Sequence, residues 1–164
     1  MINLTQTFLT IGGITLGSIV GLKFPDVDFH IPLLTHRSIF THFPISMILV
    51  IISQVDLDPM AQNWIAGFCL GSGIHLCFDC FPKKWQGGAL LHIFGMQIAP
   101  IASLLLILLG IYINLEIAIK ITDLTVEKLI AILINTLIGL HLHQREKILF
   151  PLALFILMNC IILL

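Results

Sequence analysis

Long apolar segments separated by short polar connections constrain this chain more than any other feature. A membrane-spanning helix needs roughly 20 mostly apolar residues. Six segments meet or approach that length: 4–22, 39–55, 62–80, 96–117, 125–142 and 149–164. The mean hydropathy is +1.07 and only 10% of the 164 residues are charged, so a small water-soluble fold could not hide this apolar surface. We therefore predict an all-α integral membrane protein, a single domain over residues 1–164, with about six transmembrane helices.

The composition argues against several other classes of protein. A formal net charge of −1 provides no field that would attract nucleic acid. The cysteines Cys69, Cys77, Cys80 and Cys160 lie in apolar segments, unlike the loop cysteines of a secreted disulfide framework. The first segment lacks a basic start and an A-x-A cleavage site, so we expect a retained helix rather than a signal peptide. The lipid bilayer is the first partner that these features predict.

The polar connections are predicted to lie on one membrane face. With six crossings, 23–38, 81–95 and 143–148 share that face. Its basic residues near helix ends are Lys23, Arg37, Lys83, Lys84, Arg145 and Lys147. The opposite face has only Lys120 and Lys128. The positive-inside rule therefore predicts that the polar face is cytoplasmic and that both termini lie outside.

Two carboxylates follow the first apolar segment. Asp26 and Asp28 come directly after Pro25. In an extended stretch, alternate side chains point the same way, so both carboxylates and His30 can share one side. Taken alone, the stretch fits a solvated turn with ordinary charges better.

A polar run, His36-Arg37-Ser38-Ile39-Phe40-Thr41-His42, opens the second apolar segment. Helix N-termini attract anions, and Ser38 or Thr41 is suited to cap this one. Taken alone, histidines such as His36 and His42 are more often polar residues at a membrane interface than ligands.

His75 and Asp79 are four residues apart in the third segment, hence on one helix face. An Asp near the membrane interior is costly and suggests a function. The alternative is a hydrogen-bonded pair that ties helices together.

Other polar residues give weaker signals. Cys77 and Cys80 form a C-x-x-C that more often represents two small buried residues than a thiolate site. His92, His141 and His143 are possible extra ligands or proton carriers, although interfacial placement is the simpler interpretation.

The joint arrangement favours a divalent-metal site. Alternating up and down helices place 26–28, 36–42 and 75–79 at one membrane face. Two or three carboxylates with two or three imidazoles suit zinc or manganese. Such a site leaves a position open for water, whose pKa the metal lowers.

The motifs resemble those of the YdjM-like, membrane-bound metal-dependent hydrolases of bacterial inner membranes. The matching stretches are Pro25–Asp28, His36–His42 and Gly71–Asp79. The resemblance covers roughly residues 15–95, whereas 96–164 matches only in hydrophobicity. Family members are distantly similar to zinc-dependent phospholipase C, which also has H-x-x-x-D on a helix.

The resemblance implies roles for individual residues. The metal ligands would be Asp28 or Asp26 with His42, His75 and Asp79. The candidate catalytic residues would be His36, Arg37 and Asp26. His36 would support the metal ligands or a second metal, and Arg37 would face a phosphate.

These observations predict a hydrolase of the inner (cytoplasmic) membrane that cleaves a phosphoester or lipid-like ester with a metal-activated water. Arg37, Lys83 or Lys84 would bind the phosphate. The alternative is a non-catalytic accessory or assembly subunit whose residues 96–164 pack against membrane protein partners. A transporter is a third option, but the polar residues lie at one end rather than at the midplane.

Overall fold

The computed structural model describes residues 4–43, 48, 57–81, 90–121, 134 and 149–163. Its helices are α1 (Leu4–Lys23), a 3-10 helix (Phe24–His30), α2 (Ile39–His42), α3 (Pro59–Asp79), α4 (Pro100–Ile121) and α5 (Leu149–Leu163). Two short strands, β1 (His92–Ile93) and β2 (Met96–Gln97), form a hairpin. The predicted helices at 4–22, 62–80 and 149–164 correspond to α1, α3 and α5. Most of the predicted helices 39–55 and 125–142 lies outside the described residues.

Two stretches of the described chain are long and apolar enough to cross a membrane, Thr7–His30 and Pro100–Ile121. Their outward faces carry large apolar side chains. Phe8 is 72% exposed and Ile101 is 76% exposed. The described part is therefore a mostly helical bundle with two candidate membrane spans, and six spans are not shown.

Helix α3 forms the centre of the described bundle. Asp58 caps its start, accepting hydrogen bonds from the backbone N–H groups of Met60 (2.9 Å) and Ala61 (3.0 Å), while Pro59 occupies the first turn. Every side chain from Ile65 to Cys80 is buried. Helices α1, α4 and α5 all pack against it. The C-terminal turn of α3 is therefore enclosed by protein.

Helices α1 and α3 run in the same direction and touch through glycines. A Cβ atom on Gly17 or Gly21 would overlap the backbone of Trp64 or Phe68. Helix α3 presents its own pair, since a Cβ atom on Gly67 or Gly71 would overlap α1 backbone. Small residues at four-residue spacing allow this close approach in lipid.

Two serines add hydrogen bonds across the α1–α3 contact. The Ser18 hydroxyl donates to the Gly67 carbonyl at 3.0 Å, and the Ser72 hydroxyl donates to the Gly21 carbonyl at 3.1 Å. Both hydroxyls are buried with their partners. The parallel direction, together with these contacts, places the C-terminal ends of both helices side by side.

The stretch after α1 is not extended. Residues Phe24–His30 form a 3-10 helix with Pro25 in its first turn, where the fixed φ of proline favours helix. In a helix, side chains two positions apart point in different directions. The interpretation in which Asp26, Asp28 and His30 share one side was therefore wrong. Asp28 is buried, Asp26 is partly exposed and His30 is exposed.

Helix α4 begins later than predicted. Residues 96–97 belong to the hairpin, and the helix starts at Pro100. The hairpin turn consists of Phe94 (φ 46°) and Gly95 (φ 83°), the positive-φ pair of a tight two-residue turn. Ser38 pairs with His92 in an isolated parallel bridge, so the hairpin lies against the polar run before α2.

The α1–α3 contact generates a stability prediction. We expect Gly21→Ala and Gly67→Ala to lower the free energy of unfolding by about 1–3 kcal/mol or more, because the new methyl group meets backbone that cannot rotate away. Gly12→Ala is the matched control, since a Cβ atom there meets nothing within 4 Å. Thermal unfolding in detergent measures whether Gly21→Ala and Gly67→Ala are less stable than Gly12→Ala. Equal melting temperatures for all three variants would contradict the packing.

Candidate metal centre

Three buried side chains converge at the C-terminal end of α3. Asp79 Oδ2 lies 3.3 Å from His42 Nε2 and 3.3 Å from His75 Nε2. The three ligand atoms lie within 4.8 Å of one another. Around a tetrahedral zinc ion with bonds of about 2.0–2.1 Å, neighbouring ligand atoms are roughly 3.3–3.4 Å apart. The two short separations match that geometry.

A backbone carbonyl of α1 orients the His75 ring. His75 Nδ1 lies 2.8 Å from the Leu22 oxygen, and because a carbonyl only accepts, the Nδ1–H must donate. The last four carbonyls of a helix have no partner within it, so this bond also caps α1. Nε2 is thereby directed at Asp79. A metal-ligating histidine is usually held in this way by its second nitrogen.

The His42 ring is held in the same way by its own helix. Ser38 caps α2, its hydroxyl accepting from the Phe40 N–H, as predicted for this position. The Ser38 carbonyl lies 3.1 Å from His42 Nδ1 and accepts its proton. His42 Nε2 therefore also faces Asp79.

The centre collects acceptors without matching donors. Among the described residues, Asp79 Oδ2 and His42 Nε2 are buried and have no hydrogen-bond partner. An unsatisfied buried polar group is costly and calls for an explanation. A divalent cation, or a proton shared with an imidazole, would satisfy these atoms. The donor set of two imidazoles and a carboxylate fits zinc with one position open.

Asp28 lies behind His42 rather than inside the three-residue group. Its Oδ2 accepts from the Ser38 N–H at 2.9 Å and from the Thr41 hydroxyl at 3.2 Å. The same oxygen lies 3.8 Å from His42 Nδ1, on the ring edge away from Asp79. Asp28 therefore holds the segment that carries His42.

Asp26 takes the position nearer the centre. Its Oδ1 lies 3.7 Å from His75 Nε2, and its side chain is 40% exposed. Of the two carboxylates that the sequence left as alternatives, Asp26 thus lies beside the Nε2 edge of an imidazole.

His36 and Arg37 flank the group. Arg37 Nε lies 3.4 Å from Asp79 Oδ1, the oxygen opposite the one that faces the imidazoles. His36 Nδ1 lies 3.6 Å from Asp28 Oδ1, and the ring stacks on Phe29 with centroids 4.0 Å apart. Desolvation, together with the charge of Arg37, lowers the pKa of His36, although Asp28 acts in the opposite sense. His36 is therefore mostly neutral at neutral pH.

Three further sequence candidates, His92, Cys77 and Cys80, lie in the described part of the chain and are not among the three ligands of the group. His92 pairs its backbone N–H with the Arg37 carbonyl at 2.9 Å. Cys77 and Cys80 are buried, free thiols. The other candidates, Lys83, Lys84, His141 and His143, lie outside the described residues.

Sequence reasoning missed the backbone carbonyls that orient both imidazoles. Those of Leu22 and Ser38 carry no side-chain signature. The available signal was indirect, since a helix that ends beside another helix leaves carbonyls to be satisfied.

No protein-family profile, curated protein or solved structure is significantly similar to this chain. The function must therefore be inferred from the geometry of the site and from the sequence motifs.

The bond from His75 to Leu22 can be tested separately from metal binding. His75→Asn places its amide nitrogen where Nδ1 lies, which keeps the donor for the Leu22 carbonyl but removes Nε2. His75→Ala removes both. We expect His75→Ala to be less stable than His75→Asn by about 1–3 kcal/mol, measured by thermal unfolding of the metal-free protein in detergent. Equal stability would mean that this bond does not hold the end of α1.

Proposed function

We propose that this protein is an integral membrane hydrolase that uses a divalent metal ion to cleave a phosphoester of a lipid or another amphiphile. Zinc is the preferred metal and manganese is the second candidate. The observation that carries the proposal is the convergence of His42 Nε2, His75 Nε2 and Asp79 Oδ2 within 4.8 Å in a buried site. The resemblance of its motifs to YdjM-like hydrolases supports the same reaction class.

The membrane part of the proposal extends the two candidate spans to about six helices in a bacterial-type inner membrane. Large exposed apolar side chains on α1, α4 and α5 support it, including Leu9, Leu105 and Leu157. A soluble monomer rarely exposes so much contiguous apolar surface. The polar cluster lies at one end of the bundle, which would place it near the lipid headgroups.

The metal would supply Lewis acidity and would lower the pKa of a bound water. Asp79 contributes the negative charge that offsets the cation. Asp26, partly exposed and 3.7 Å from His75 Nε2, is placed to accept a proton from an attacking water. Neutral His36 is a second proton acceptor at the edge of the site.

The proposed substrate class follows from the surroundings of the site. The Arg37 guanidinium offers a fork of donors that suits phosphoryl oxygens. Two apolar side chains in the neighbouring segments are exposed. Leu33 is 86% exposed, and Phe94, whose ring is tilted against Phe40 with centroids 5.0 Å apart, is 71% exposed. A charged headgroup linked to an apolar chain matches this combination.

Metal binding is the decisive test. We expect the purified protein to bind one zinc ion, and Asp79→Asn to weaken binding by more than about 100-fold, because even residues that only support ligands are worth roughly 10–100-fold. Asp58→Asn is the matched control, since Asp58 is an exposed helix cap. Equilibrium dialysis with metal analysis measures both. Hydrolysis of a fluorogenic phosphodiester in mixed micelles should fall with zinc content.

Two results would contradict the proposal. Equal zinc content in the wild type and in Asp79→Asn would show that Asp79 does not hold the metal. No bound zinc, with other membrane proteins co-purifying in fixed ratio, would favour the accessory-subunit alternative.

The orientation of the proposed site is tested by labelling. In a Cys160→Ser background, Lys23→Cys offers the sole exposed thiol of the described part, because Cys69, Cys77 and Cys80 are buried. We expect a membrane-impermeant maleimide to label it only in inside-out vesicles. Labelling in intact spheroplasts would show that Lys23 lies on the outer face and would contradict the predicted orientation.

A further inference from the structure

Arg37 has an unusual backbone conformation for a residue with a Cβ atom. Its φ is 61°, in the left-handed region. The other non-glycine residue with positive φ in the described part is Phe94, whose hairpin turn requires it. Arg37 likewise lies in a turn, with His36, directly before Ser38.

Contacts on both sides hold this conformation. The Arg37 carbonyl accepts from the His92 N–H at 2.9 Å, and the next N–H, that of Ser38, donates to Asp28 at 2.9 Å. Unfavourable conformations persist where surrounding contacts over-determine them, and they cluster at functional sites. Here the held backbone directs the guanidinium at Asp79.

The two oxygens of the Asp79 carboxylate face different groups. Oδ1 lies 3.4 Å from Arg37 Nε, whereas Oδ2 faces the two imidazoles. Arg37 Nε is buried, yet the Arg37 side chain as a whole is 23% exposed. The guanidinium therefore reaches from the carboxylate towards the surface of the site.

We propose that Arg37 is the counter-charge of Asp79 in the metal-free protein and becomes the anion-binding group once a cation occupies the centre. This inference rests on the proposed function. Without metal, the guanidinium offsets the buried carboxylate. With metal, two positive groups lie on opposite oxygens of one carboxylate, and their repulsion weakens metal binding. An anionic phosphoryl group contacting both would relieve that repulsion.

The consequence is thermodynamic coupling between metal and anion. If the anion strengthens metal binding, the metal must strengthen anion binding by the same factor. Arginine suits this role because its fork remains charged and binds two oxygens at once.

The test compares zinc affinity with and without dimethyl phosphate, a soluble phosphodiester anion, for the wild type, Arg37→Gln and Arg37→Gly in detergent. Arg37→Gln keeps a hydrogen-bond donor but removes the charge. Arg37→Gly removes the side chain and also tolerates positive φ, so strain cannot unfold it. Lys23→Gln, which removes an exposed cation at the end of α1, is the control.

Without the anion, we expect both Arg37 variants to bind zinc about tenfold more tightly than the wild type, and Lys23→Gln to match the wild type. Dimethyl phosphate should tighten zinc binding by the wild type and leave the Arg37 variants unchanged.

Unchanged or weaker zinc binding in both Arg37 variants would overturn the counter-charge role. Equal responses to dimethyl phosphate in the wild type and the Arg37 variants would overturn the anion-binding role. A wild type that binds no zinc would refute the proposed function itself, which distinguishes the two failures.

Discussion

The close contact between α1 and α3 is the constraint on which the rest of this structure depends. Backbone packing and hydrogen bonds between the helices hold this pair side by side. Gly17, Gly21, Gly67 and Gly71 let the two backbones touch, and each helix donates a serine hydroxyl to the other. A side chain at any of these glycines would push the helices apart.

The α1–α3 contact also positions the side chains of the site. Because the helices are parallel and nearly touch, the carbonyl of Leu22 comes within 2.8 Å of His75 Nδ1. This hydrogen bond orients the ring so that His75 Nε2 faces Asp79, which lies one helical turn further along α3. His42 comes from a separate segment, which the buried Asp28 fixes through Ser38 and Thr41. Both imidazoles are thus oriented by groups outside the site.

The sequence was sufficient to predict the parts of the site that depend on helix periodicity. The four-residue spacing of His75 and Asp79 places them on one face, and the order of apolar segments brings His42 to the same end. These features depend on local geometry that the residue types themselves determine.

The different positions of Asp26 and Asp28 relative to the site could not be predicted from the sequence in the same way. The interpretation that grouped them assumed an extended stretch, where period two aligns the side chains, whereas Pro25 starts a 3-10 helix that separates them. Which carboxylate turns inward then depends on a distant partner, the Ser38–Thr41 segment. The positive φ of Arg37 occurs in a turn that distant groups flank. The Arg37 carbonyl accepts from the His92 N–H and the Ser38 N–H donates to Asp28, contacts that no local pattern reveals.

The buried polar cluster carries an energetic cost. Asp79 and His42 are buried, and each presents an atom that lacks a hydrogen-bond partner within the described residues. Replacing buried ionic groups by apolar residues of similar volume is often neutral or stabilising, by about 1–4 kcal/mol. The glycine and serine contacts already hold α1 against α3, so the bundle does not need these charges to form that pair. The buried group of His42, His75 and Asp79 is therefore an arrangement that could hold a metal ion, with two of its separations at 3.3 Å.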